Sequence, residues 1–141
     1  MRFTSSVSLA TALVSSLSAC ASVGGMRSTP LDQGVVRYFD ADLRPAVLAV
    51  RNACMGSQLE IEEVNEINDD AWMIIAKRSS GEWTLGELVR IVVERTPTAQ
   101  SDARVAVRIL TRRRAALQVT AKGDWSEELF TQVALELVEG E

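Results

Sequence analysis

Residues 104–109 read Arg104-Val105-Ala106-Val107-Arg108-Ile109, and their spacing decides the fold. Val105, Val107 and Ile109 alternate with Arg104, Ala106 and Arg108. Successive side chains of a strand point to opposite faces, so one face is apolar and the other carries the arginines. That is the pattern of a half-buried antiparallel strand, packed on one side and solvated on the other.

Toward the C-terminus, Leu117, Val119 and Ala121 alternate with Gln118, Thr120 and Lys122, which predicts a further strand. Toward the N-terminus, Trp83–Arg95 sets Val89, Ile91 and Val93 against Arg90 and Glu94. Its part Leu85–Val93 also admits a helical reading; the β-branched residues favour strand, with Gly86 as the place for a bulge. Ala71 to Lys77 is a continuous apolar run with Trp72, Ile74 and Ala76 on one side, and before it Leu59 and Ile61 alternate with Gln58, Glu60 and Glu62. Asp69-Asp70, Ser79-Ser80-Gly81 and residues 96–102 are turn and loop signals between these segments.

Helical periodicity brackets the strands. Asp40 or Asp42 suits an N-cap, and Pro45 is tolerated only in a first turn, which favours the later start. Leu43, Val47, Val50 and Cys54 then form one stripe, with Gly56 where a left-handed C-cap is expected. At the other end Asp124 and Glu127 make a capping-box-like pair ahead of Leu129, Val133 and Leu137, flanked by Phe130 and Ala134. Helix, about five strands, helix, with short connections, predicts an α+β two-layer sandwich. The N-terminal and C-terminal helices pack on one face of an antiparallel meander. Arg104, Arg108, Gln118, Thr120 and Lys122 are expected to line an open polar face opposite.

Composition narrows function mainly by exclusion. The chain has 141 residues, a net charge of −4, two cysteines and no histidine. An acidic balance does not suit a nucleic-acid binder, which shows a basic face. Without histidine there is no Ser-His-Asp or Cys-His catalysis, no His-containing zinc site and no histidine pH switch. No glycine-rich phosphate loop, nucleophile elbow or metal-ligand spacing occurs, so no catalytic residue, cofactor or metal is expected.

The first twenty residues carry the most specific signal. Arg2 precedes a mildly apolar stretch, Val7 to Leu17, too short to cross a bilayer core as a helix and suited to the apolar region of a signal peptide. It ends in Leu17-Ser18-Ala19-Cys20, which resembles the bacterial lipobox: an aliphatic residue, two small ones, then cysteine. Small side chains suit a narrow peptidase site, and a cysteine thiolate is the soft nucleophile that takes the lipid. The resemblance implies cleavage between Ala19 and Cys20, diacylglycerol on Cys20, and a further acyl chain such as palmitate on its amino group. Ala21, where an inner-membrane retention signal would carry aspartate, implies the outer membrane facing the periplasm. The competing reading is an ordinary signal peptide cut near Ala19 or Ala21, or an uncleaved anchor.

These features divide the chain into a signal peptide (1–19), a lipidated flexible tether (20–34, rich in glycine and small polar residues) and one α+β domain (35–141). The order of elements across residues 38–138, from the helix ending at Gly56 to the closing amphipathic helix, is similar to small bacterial lipoprotein domains of unassigned function. That resemblance implies the two-layer fold and a cell-envelope role, and no catalytic residue.

Candidate sites within the domain have bland competitors. Cys54 lies on a helix's apolar stripe and reads as a core residue, with a disulfide-linked dimer as the alternative. Arg112, Arg113 and Arg114 sit between two strands, as a solvated turn or as a grip on anionic lipid groups. Glu60, Glu62, Glu63, Glu66, Asp69 and Asp70 lack calcium-loop spacing and read as a solvated acidic edge. Trp72, Trp83 and Trp125 read as core or rim packing. The leading functional expectation is a non-enzymatic, membrane-anchored envelope adaptor or structural module with a protein partner. The alternative is a small-ligand or lipid-binding protein with a cleft between helices and sheet.

Overall fold

The computed structural model describes residues 21–78, 86–97, 104–114 and 123–140. Its elements are α1 (Val23–Ser28), β1 (Val35–Phe39), α2 (Leu43–Gly56), β2 (Leu59–Asn68), β3 (Ala71–Arg78), β4 (Glu87–Arg95), β5 (Val105–Arg113) and α3 (Ser126–Glu139). The five strands form one antiparallel sheet in the order β1-β5-β4-β3-β2. β2 to β5 make the expected meander, and α2 and α3 cover one face, giving the α+β sandwich.

The period-two pattern explains the main core. Val105, Val107 and Ile109 of β5, Val89, Ile91 and Val93 of β4, and Ile74 and Ala76 of β3 all face the helices. They meet Ala46, Val50 and Cys54 of α2 and Leu129, Phe130 and Val133 of α3. β2 joins the same layer through Leu59, Ile61 and Val64. Ile61 and Val64 are three apart and would face opposite ways in a regular strand; the register shift between Ile61 and Glu63 brings both inward. Two such irregularities and several acidic side chains mark β2 as an edge strand that resists pairing with another chain.

Several local expectations are corrected. Gly86 marks no bulge: the register of β4 is continuous from Glu87 against both neighbours, and Gly86 precedes it at φ +87°. Gly56 is the last helical residue of α2, and the left-handed position falls on Gln58 at φ +59°. The capping box at α3 does not close, because Glu127 pairs with Arg37 while Asp124 Oδ1 accepts from the Ser126 amide. The strand expected at residues 117–121 lies outside the described residues. Among the described residues the fifth strand is β1, whose apolar, aromatic sequence pairs with β5 at the sheet's other edge.

The largest correction concerns the second face of the sheet, which was expected to be open and polar. It carries Met73 and Ile75 of β3 and Leu88 and Val92 of β4, all buried. Residues 21–34 lie across them. Met26 is 1% exposed, and Ala21 and Val23 pack against the same cluster, so this segment is not the flexible tether its glycines suggested. Gln118, Thr120 and Lys122 are outside the described residues. Arg104 lies before β5 and binds Asp40 and Asp42.

Candidate functional site

Leu17, Ser18, Ala19 and Cys20, whose order resembles a lipobox, lie outside the described residues. The description begins at Ala21, and the site that the structure does build is the one holding the segment that follows.

At its centre is Arg90, from the middle of β4. Alternation along β4 puts Val89 and Ile91 toward the helices, so Arg90 points to the other face between Leu88 and Val92. It is fully buried, and it spends both terminal nitrogens on main-chain carbonyls of the covering segment. Nη1 donates to Met26 O at 3.1 Å and Thr29 O at 2.5 Å; Nη2 donates to Pro30 O at 2.9 Å and Gln33 O at 3.2 Å. The planar fork of guanidinium presents donors in two directions at once, so one side chain gathers four acceptors that a lysine could not arrange. Burial lowers the proton affinity of Arg90, and the neighbouring charges of Arg112 and Arg108 push the same way. Charge-assisted hydrogen bonds to the carbonyls take the place of lost water.

The covering segment is shaped to meet it. Ser22 caps α1 by accepting from the Gly25 amide at 3.0 Å, and Thr29 Oγ1 donates back to Gly25 O, turning the chain after one and a half turns of helix. Met26 drops into the apolar cluster, and Arg27 forms a two-pronged pair with Glu63 of β2. That hydrogen-bonded pairing holds the Glu63 carboxyl below its ordinary range and raises the proton affinity of Arg27. Arg108 donates to Asp32 O, and Arg112 Nη2 reaches Gln33 Oε1 at 3.4 Å. The segment ends at Gly34, φ +121°, where a Cβ would stand 2.5 Å from Ile109 O; only glycine lets the chain pass this close and turn into β1.

The basic triplet is therefore divided. Arg112 and Arg113 continue β5, opposite Leu88 and Glu87, and Arg114 follows as a bend. Arg112 faces the covering segment with Arg90 and Arg108, a three-strand-position grouping that adjacent-residue reading does not reveal. Cys54 is fully buried, and burial pushes its thiol up to about 12, which keeps it protonated and unreactive.

A second buried polar group fixes the end of the helical layer. Glu87 is 1% exposed, and its Oε2 accepts from Trp125 Nε1 at 3.1 Å while Oε1 accepts from the Gly123 amide at 3.0 Å. Arg78 approaches the same carboxylate at 3.8 Å and lies over the Trp125 ring. Glu87 thus pins the start of α3 to β4.

Between helices and sheet the described side chains fill the space: Ile74, Val89, Val93, Val107 and Phe130 are fully buried. One hollow, about 990 Å³, runs from the turn at Phe39–Asp42 to between the N-terminal end of α2 and the C-terminal end of α3, with Leu48, Asn52, Leu137 and Val138 among its lining. Asn52 bridges it to Glu136 at 3.0 Å. Among the described residues no cluster of acidic and cysteine side chains is arranged to hold a metal ion, and no helix is long and apolar enough to cross a membrane. The sequence matches no protein-family model and no curated protein.

Proposed function

We propose that this chain is a lipid-anchored module of the bacterial cell envelope. In this reading it is held through Cys20 on the outer membrane, facing the periplasm, and acts without catalysis as an adaptor or structural component for a protein partner. The observation that carries this reading is that Ala21 and Val23, directly after the lipobox, already pack on the sheet. An anchor at Cys20 would hold the body of the domain against the bilayer surface, with no swinging linker between. A fourteen-residue coil would span about 20 Å; the docked segment removes that freedom. Two or three acyl chains, at about 0.8 kcal/mol per buried methylene, make such attachment stable.

The test is the processing and location of a Cys20→Ser precursor. It should accumulate uncut or leave the membrane fraction, while the parent incorporates labelled palmitate and stays with membranes. Normal processing and membrane retention of the variant would overturn the anchoring. Crosslinking in intact cells followed by mass spectrometry of the membrane fraction would then identify the partner, and recovery of the chain free of any partner would count against the adaptor role.

A further inference from the structure

We infer that the outer face of the α2–α3 layer is a self-association surface, on which a second copy of this chain docks so that α2 of each copy lies over α3 of the other. This stands apart from the anchoring and rests on different residues.

The outer face is apolar where a solitary domain would be polar. Leu48 is 55% exposed, Met55 61%, Leu135 52% and Val138 74%. Leu48 and Met55 lie seven apart on α2, and Leu135 and Val138 three apart on α3, so each pair shares one side of its helix. The two helices run antiparallel. The C-terminal end of α2 at Gly56 shares a hollow with Trp125 and Glu128, while its N-terminal end at Arg44 shares the long groove with Val138. Leu48 and Val138 line that groove, and Met55 and Leu135 stand exposed on the same two helices.

Charge decides the occupant. Within α2 the charged residues are Arg44 and Arg51, with no acid; within α3 they are Glu127, Glu128, Glu136 and Glu139, with no base. Arg44, Arg51 and Glu139 form no ion pair among the described residues. A face made of one basic and one acidic helix complements itself. A two-fold axis lying in the interface can run across the helices or along them. Across them, α2 would meet α2 and α3 would meet α3, setting arginines against arginines and glutamates against glutamates. Along them, α2 meets α3 of the second copy antiparallel, as it already meets its own α3. Leu48 then comes over Leu135 and Val138 of the second copy, and the basic helix opposes the acidic one. Like-charge contact penalises the first arrangement and complementarity favours the second. The face is only two helices of about 21 Å each, small for a permanent dimer, so dissociation on the order of micromolar is expected.

Full-length chain, extracted in mild detergent under reducing conditions, should show a concentration-dependent dimer by sedimentation. Leu48→Asp with Leu135→Asp changes only exposed positions; it should keep the circular dichroism spectrum and weaken association at least 100-fold. Arg44→Glu with Arg51→Glu should weaken it about tenfold, and mixing with a Glu128→Arg, Glu139→Arg copy should restore a heterodimer. A mixture of Leu48→Cys and Leu135→Cys copies should crosslink between unlike copies. A monomer at 100-fold above micromolar concentration, a Leu48→Cys copy that crosslinks to itself, or indifference to charge reversal would overturn the arrangement. So would association that required anionic vesicles, which would assign the face to a membrane.

Discussion

Replacing Arg90 by alanine should undock residues 21–34 while leaving the sandwich folded. Four hydrogen bonds from a charged donor, at about 1.5 kcal/mol each, give a gross 6 kcal/mol. Against this stands the desolvation of a buried guanidinium, several kcal/mol after relaxation. A net latch of about 3 kcal/mol remains, and the variant also leaves Met26 O and Thr29 O without their donor. A loss of 3 kcal/mol shifts an opening equilibrium roughly 100-fold, at 1.36 kcal/mol per decade. Amide exchange read by mass spectrometry is the assay. Peptides covering residues 22–33 should exchange about 100-fold faster in Arg90→Ala, and trypsin should gain access at Arg27, whereas β5 and α3 keep their protection. Arg90→Lys should fall between, since one ammonium cannot face two pairs of carbonyls. Unchanged exchange in residues 22–33, or equal loss of protection throughout the sheet, would refute the reasoning.

Other consequences are as direct. Gln58 holds φ +59°, a conformation that costs a side-chain-bearing residue about 1 kcal/mol; Gln58→Gly should therefore raise the melting temperature by roughly 3 °C. Glu87→Ala removes the shared acceptor of Trp125 and Gly123 and should cost about 3 kcal/mol in denaturant unfolding, with Glu87→Gln recovering part through its remaining oxygen. The Glu63 carboxyl is held below its ordinary range by Arg27, so its contribution is present above the unfolded carboxylate pKa of about 4.3 and is lost as pH falls through the lower folded value. Acid should loosen α1 before the core, seen as earlier exchange at residues 22–30, and Glu63→Gln should abolish that pH dependence.

An undockable residue 21–34 would matter beyond stability. In the anchored reading, this segment joins the lipid to the domain, and its release would convert a body held at the bilayer into one on a tether of about 20 Å. The Arg90→Ala variant thus separates anchoring from positioning: membrane retention should persist while crosslinks to a partner at fixed height change.

What was legible in the sequence follows from periodicity. Alternation at period two in β4 and β5, and stripes at Leu43–Cys54 and Leu129–Leu137, dictate which faces must be buried, and so the antiparallel sheet and its two helices. The resemblance of Leu17-Ser18-Ala19-Cys20 to a lipobox is likewise a local pattern of adjacent residues. The exclusions of histidine chemistry rest on composition alone. One further signal was present and points to the second face: β3 is apolar at every position from Ala71 to Ala76, and a strand buried on both sides needs a cover on both.

Only the tertiary structure decided what that cover is. Residues 21–34 read as a linker because Gly24, Gly25, Pro30 and Gly34 favour turns, and their carbonyls carry no sequence signature. Arg90 sits 64 residues from Met26, so nothing local announces that a charged residue on an otherwise apolar strand has its acceptors in that linker. For the same reason the grouping of Arg90, Arg108 and Arg112 was hidden while Arg112-Arg113-Arg114 was conspicuous. Neighbours along a strand point apart, and neighbours across a sheet are set by register. The outward apolar face of α2 and α3 also needed the fold, because which side of each helix remains open depends on where the sheet lies.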